Sequence, residues 1–150
     1  KVEDKKKEMN DRMEAAREKA RNKYSEAVQK SVSGIIDHLT ATLNHLISIA
    51  DRIDVRIKAH EAAGKTMTNS IVLLAGARTN ITVAQDKVSA VGTALSAALA
   101  SGKPKEQMQT VRDAVKAAKD AIVTAQKSLQ DTLRSIRVET SGATTTSVTI

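Results

Sequence analysis

Residues 2–63 read VEDKKKEMNDRMEAAREKARNKYSEAVQKSVSGIIDHLTATLNHLISIADRIDVRIKAHEAA, with no proline and a single glycine, Gly34. Apolar side chains return every three or four positions: Met9, Met13, Ala16, Ala20, Tyr24 and Ala27, then Val32, Ile36, Leu39, Leu43, Leu46, Ala50, Ile53 and Ile57. That step keeps one stripe on one face of an α-helix. At 1.5 Å per residue the helix is roughly 90 Å long. Every later periodic stretch is shorter, and this mismatch organises the reading of the chain.

The second stretch runs from about Met67 to Ala100, with Ile71, Leu74, Ala77, Ile81, Ala84, Val88, Val91, Leu95 and Ala98 in its stripe and Leu99 beside it. Gly64 suits the residue just past the preceding helix end. Thr66 or Thr68 is placed to cap the second helix by accepting its free backbone N–H groups. Gly76 and Gly92 lie inside the helix as candidate points of close approach, each lowering its stability by about 1 kcal/mol relative to Ala. Ser101-Gly102-Lys103-Pro104 then marks a turn, with Gly102 ending one helix and Pro104 starting the next where its missing N–H costs nothing. The third stripe is Met108, Val111, Val115, Ala118, Ile122, Ala125, Leu129, Leu133 and Ile136, ending near Arg137. From Val138 to Ile150 the pattern breaks into a Thr-rich, β-prone tail with no charge after Glu139.

The second and third helices have about 34 residues each, near 50 Å, and residues 31–63 match them. Short turns make consecutive helices antiparallel neighbours. The expected fold is all-α: an up-down-up antiparallel three-helix bundle over 31–137. A charged helical extension over 1–30 then projects roughly 45 Å beyond it, and residues 138–150 form a tail at the other pole. A bend at Gly34 giving a four-helix bundle is the competing topology.

Composition agrees with the helical reading. Hydrophobic residues make up 41% of the chain, yet Tyr24 is its only aromatic. Small aliphatic cores suit helices packed closely side by side. The absence of cysteine excludes disulfides and thiolate metal sites. The longest uncharged run, Val88 to Gly102, is too short and too rich in Ser, Thr and Gly to span a bilayer. The net charge of +7 is spread along the chain: residues 1–30 carry ten basic and seven acidic side chains, and each later region differs by three charges or fewer. Such a surface supports weak contact with polyanions. Specific nucleic-acid binding lacks a recognition motif and stacking aromatics.

Chemistry is sparse. Gly64-Lys65-Thr66 imitates the end of a phosphate-binding loop, but Ala59 stands where that motif needs glycine, so a helix cap is the better reading. His38 and His45 are two helical turns apart and His60 is farther away, with no ligand pair of the kind bundle metal sites use. Asp51-Arg52-Ile53-Asp54-Val55-Arg56 reads as a solvated, salt-bridged face around Ile53. No nucleophile, base and orienting group assemble. The expectation is a non-enzymatic protein with no cofactor and no metal.

Ile49-Ala50-Asp51-Arg52-Ile53-Asp54-Val55-Arg56-Ile57, followed by Ala62-Ala63-Gly64-Lys65 and later Pro104-Lys105-Glu106, resembles a pattern in uncharacterised secreted helical proteins of candidate-phylum bacteria. Those proteins place a Glu/Arg/Lys-rich helix before a Leu-Ala-Asp-Arg-Ile-x-x-Arg-Ile segment and an Ala-Gly-Lys turn. The resemblance implies export through a removed signal peptide, consistent with a chain that starts at Lys1, and hence an extracellular or cell-surface location. It supplies no activity.

The functional expectation is therefore a structural protein whose partners are other copies of itself. Its self-association residues are Met9, Met13, Ala16, Ala20, Tyr24 and Ala27 at one pole, and Val148 and Ile150 in the tail at the other. Contact between unlike poles closes into a ring or grows into a filament. A helical adaptor and a weak polyanion or membrane-surface binder are the alternatives.

Overall fold

A computed structural model describes residues 2–141 of the chain. Three helices follow one another: α1 (Val2–Ala62), α2 (Thr68–Ala100) and α3 (Pro104–Ser141). All three pairs touch, α2 against α3 most extensively. Ser70 meets Ser135 and Asn80 meets Ser128, so residue numbers rise on α2 as they fall on α3 and the pair is antiparallel. Ala20 and Tyr24 share a wall with Pro104, while His45 and Ile49 share one with Gln126 and Leu133, so α1 and α3 are parallel. This is the up-down-up three-helix bundle, with α1 continuous through Gly34 for 61 residues.

The seams are heptads. On α2 the buried residues are Ser70, Leu74, Ala77, Ile81, Ala84, Val88, Val91, Leu95 and Ala98, with Met67 buried one step before them. On α3 they include Val111, Ala118, Ile122, Ala125, Leu129, Thr132 and Ile136. Large and small residues alternate along both, so bulky side chains of one helix sit over small ones of the other. Ala50, Ala77, Ala84, Val91, Ala118, Ala125 and Ile136 are all 0% exposed. This close fit supplies the core without aromatics.

Two seam positions differ from the apolar periodicity. Ser70, not Ile71, faces the core, and Ile71 is 44% exposed. Thr132 takes the buried place beside the half-buried Leu133. Both hydroxyls are satisfied: Thr132 Oγ1 donates to the Ser128 carbonyl at 2.8 Å, and Ser70 joins the network described below. Among the described residues no buried side-chain nitrogen or oxygen lacks a partner.

The turns follow backbone chemistry. Gly64, at φ +88°, closes α1 with Gly64 N–H donating to the Glu61 carbonyl and Lys65 N–H to the His60 carbonyl, the left-handed glycine cap. Gly102, at φ +72°, reverses the chain before Pro104. The helical glycines behave differently. A Cβ added at Gly34, Gly76 or Gly92 meets nothing within 4 Å, so none of them marks a close helix contact within the bundle. Gly34→Ala, Gly76→Ala and Gly92→Ala are each expected to raise stability by about 0.5–1 kcal/mol, read as a higher urea midpoint. A lower midpoint would show that glycine is required at that position.

α3 runs four residues past the expected end at Arg137 because its last turn is anchored. Lys65 Nζ donates to the Thr140 carbonyl at 2.9 Å, and Glu139 is bound to the start of α2. The bundle also continues further along α1 than expected. Tyr24, Ser25 and Val28 are half-buried, and Ala20, Arg21 and Tyr24 line a cleft with Gly102, Lys103 and Pro104. α1 therefore leaves the other helices near residue 20, and its free end is about 28 Å long rather than about 45 Å.

Candidate functional site

Two places on this scaffold gather functional groups: the free end of α1 and the junction between the start of α2 and the end of α3.

At the free end, the heptad that buries Val32, Leu39, Leu46 and Ile53, with Leu43, Ala50 and Ile57 between them, continues backwards through Gln29, Ser25, Asn22, Glu18, Ala15, Asp11, Glu8 and Asp4. The core seam turns polar and then acidic, which is why α1 outlasts its partners. Met9, Met13, Ala16, Ala20 and Ala27 do not continue that seam. The five-residue step from Ala27 to Val32 shifts the phase, and the Met/Ala line lies roughly 100–150° around the helix from the core. The expectation of a single stripe from Met9 to Ile57 is corrected accordingly.

Met9 is 60% exposed and Met13 48%, and Ala16, Ala20 and Ala27 are exposed beside them. Tyr24, expected in the same line, is half-buried at the α2–α3 turn instead. Val148 and Ile150 lie outside the described residues. The heptad of the Met/Ala line places Lys5, Arg12 and Lys19 along one border, Arg17 on the other, and Lys6 and Lys23 within it. Apolar periodicity alone missed this basic border, which shows only once the phase of the line is separated from that of the core.

At the junction, α2 begins at Thr68 after Met67, and no local side chain caps it; the expected caps Thr66 and Thr68 make no such bond. The cap comes from α3. Ser70 N–H donates to Glu139 Oε1 at 2.7 Å and Asn69 N–H to Oε2 at 3.3 Å. The hydroxyls of Ser70 and Ser135 also donate to Oε1. A carboxylate at a helix N-terminus suits the exposed N–H groups and the macrodipole. Partial desolvation pushes the Glu139 pKa up, but the Ser70 hydroxyl, the Ser70 N–H, the Ser135 hydroxyl and the Asn69 N–H outweigh it and hold the carboxyl below its ordinary value. The group ties two helix ends together.

The salt bridges are surface pairs. Asp51 takes Arg78 across α1 and α2 at 3.0 Å, Asp54 takes Lys58 at 2.9 Å, and Glu8 takes Arg12 at 3.8 Å. His38 and His45 are exposed and His60 half-buried. Among the described residues no three His, Cys, Asp or Glu side chains come close enough to share a metal ion. No described helix is long and apolar enough to cross a membrane.

Comparison of the chain with protein-family models, curated proteins and solved structures finds no match.

Proposed function

We propose that the chain is a non-enzymatic structural protein that assembles with copies of itself through the free end of α1. The observation that carries this reading is the Met/Ala line of residues 9–20. It sits on a helix that extends past its own bundle, it faces solvent, and the acidic run of the core seam leaves α2 and α3 nothing to pack on there. An isolated helix of about twenty residues is marginal in water. A partner that covers the line supplies what the bundle does not.

The basic border supports a second reading, attachment to an anionic surface, since a basic amphipathic helix suits such surfaces. An extracellular or surface location belongs to the proposal through the sequence resemblance alone.

Sedimentation equilibrium over a concentration series tests the main reading. The full chain is expected to form oligomers, and Met9→Lys/Met13→Lys is expected to be monomeric with the unfolding midpoint that the full chain shows when dilute. A full chain that stays monomeric at every concentration would rule self-assembly out. Salt-sensitive binding to anionic vesicles by that monomer would then favour the second reading.

A further inference from the structure

The back of α1 does not end where the bundle begins. The heptad of Val2, Met9, Met13, Ala16, Ala20 and Ala27 continues through Lys30, Gly34, Asp37 and Ala41, and all four of these are exposed. The added Cβ at Gly34 meets nothing, so space is open there. α1 thus presents an outer face of about 40 residues, roughly 60 Å long, which borders the α2–α3 turn at Ala20 and Tyr24 and is otherwise exposed. Its first half is free helix and its second half is carried by the bundle.

Charge decides how such a face can pair with itself. A parallel, in-register pairing stacks Lys6 on Lys6, Lys23 on Lys23, Lys30 on Lys30 and Asp37 on Asp37, and sets Arg12 against Arg17 along both flanks. An antiparallel pairing centred between Arg21 and Asn22 has none of these conflicts. It places Met9 over Gly34, Ala16 over Ala27, Val2 over Ala41 and Lys6 over Asp37. Its flanks set Lys19 against Glu26 and Glu3 against His38. Sliding the pairing one heptad in one direction opposes Lys6 with Lys30 and Arg17 with itself. Sliding it in the other direction opposes Glu26 with itself and loses the Lys6–Asp37 pair.

We infer that two copies pair antiparallel along the outer face of α1, the free end of each lying on residues 23–41 of the other. This rests on the self-assembly reading and specifies its geometry. The interface is isologous and closed, with every pair occurring twice. Small residues at Ala16, Ala20, Ala27, Gly34 and Ala41 let the two helices approach closely. The free end that one chain cannot cover is covered by the second.

The chain has no cysteine, so single cysteines report the register directly. Met9→Cys and Gly34→Cys variants, mixed and oxidised, are expected to form the mixed disulfide dimer, while neither variant alone cross-links. Lys6→Asp is expected to weaken dimerisation roughly tenfold, since the pair occurs twice, and Lys6→Asp/Asp37→Lys to restore it. Self-cross-linking of Met9→Cys would show parallel pairing and overturn the inference. A chain that sediments as an oligomer without the mixed cross-link would overturn this geometry and leave self-assembly standing. A monomer at every concentration would overturn both.

Discussion

Replacing Ile136 with alanine is expected to cost the folded chain about 3–4 kcal/mol. The residue is 0% exposed and sits on the α2–α3 seam. The lost transfer free energy of the side chain is only part of that figure. The rest is the cavity, and this seam is poorly able to close one. Two long rigid helices cannot bend locally into the gap. A loss of that size is a large share of the stability of a domain this long and lowers its melting temperature by about 10 °C. Urea unfolding of Ile136→Ala beside Met13→Ala makes the contrast sharp. Met13 belongs to the free end, and its truncation leaves the monomer's midpoint unchanged. An Ile136→Ala cost below about 1 kcal/mol would mean that the seam is far looser than its burial indicates.

The second large effect is at Glu139. Glu139→Ala removes the acceptor for the Ser70 and Asn69 N–H groups and for two hydroxyls. Ser70 is 0% exposed, so water cannot replace the lost partner at its buried N–H. A cost of about 2–3 kcal/mol at neutral pH is expected. The pH dependence has a definite sign. Because the folded carboxyl titrates below its ordinary value of 4.5, its stabilising contribution is complete above that value. The contribution fades as pH falls through the lower folded pKa, where the bound carboxylate takes up a proton. The stability difference between wild type and Glu139→Ala should therefore be flat from neutral pH to about 5 and shrink below that. A difference that persists unchanged into strong acid would show that Glu139 acts by packing rather than by charge.

The heptads, the turns at Gly64 and Gly102 and the helix start at Pro104 were all legible in the sequence, because each depends on residues within one helical turn. What escaped the reading depends on partners distant in the chain. Ser70 and Thr132 occupy core positions that apolar periodicity assigned to Ile71 and Leu133. Their hydroxyls are satisfied only once Glu139 or the Ser128 carbonyl is in place. The cap on α2 comes from neither Thr66 nor Thr68 but from Glu139, seventy positions away from Asn69. The free end proved shorter than expected because α3 begins level with Tyr24, a register that only the packed helices reveal. Its apolar line was visible from the start. That the line faces away from the core follows from the step between Ala27 and Val32, which a search for apolar residues three to five apart passes over.

The central claim is that residues 2–19 have no partner within their own chain and gain one from another copy. Amide hydrogen exchange on the full chain at low and high protein concentration tests it residue by residue. In dilute solution the amides of 2–19 should exchange rapidly while those around Leu39, Leu46 and Ile53 stay protected, since only the latter lie in the packed core. At high concentration protection should spread into 2–19 and leave the core unchanged. Equal protection of 2–19 at both concentrations would contradict the claim, as would rapid exchange of that segment at both.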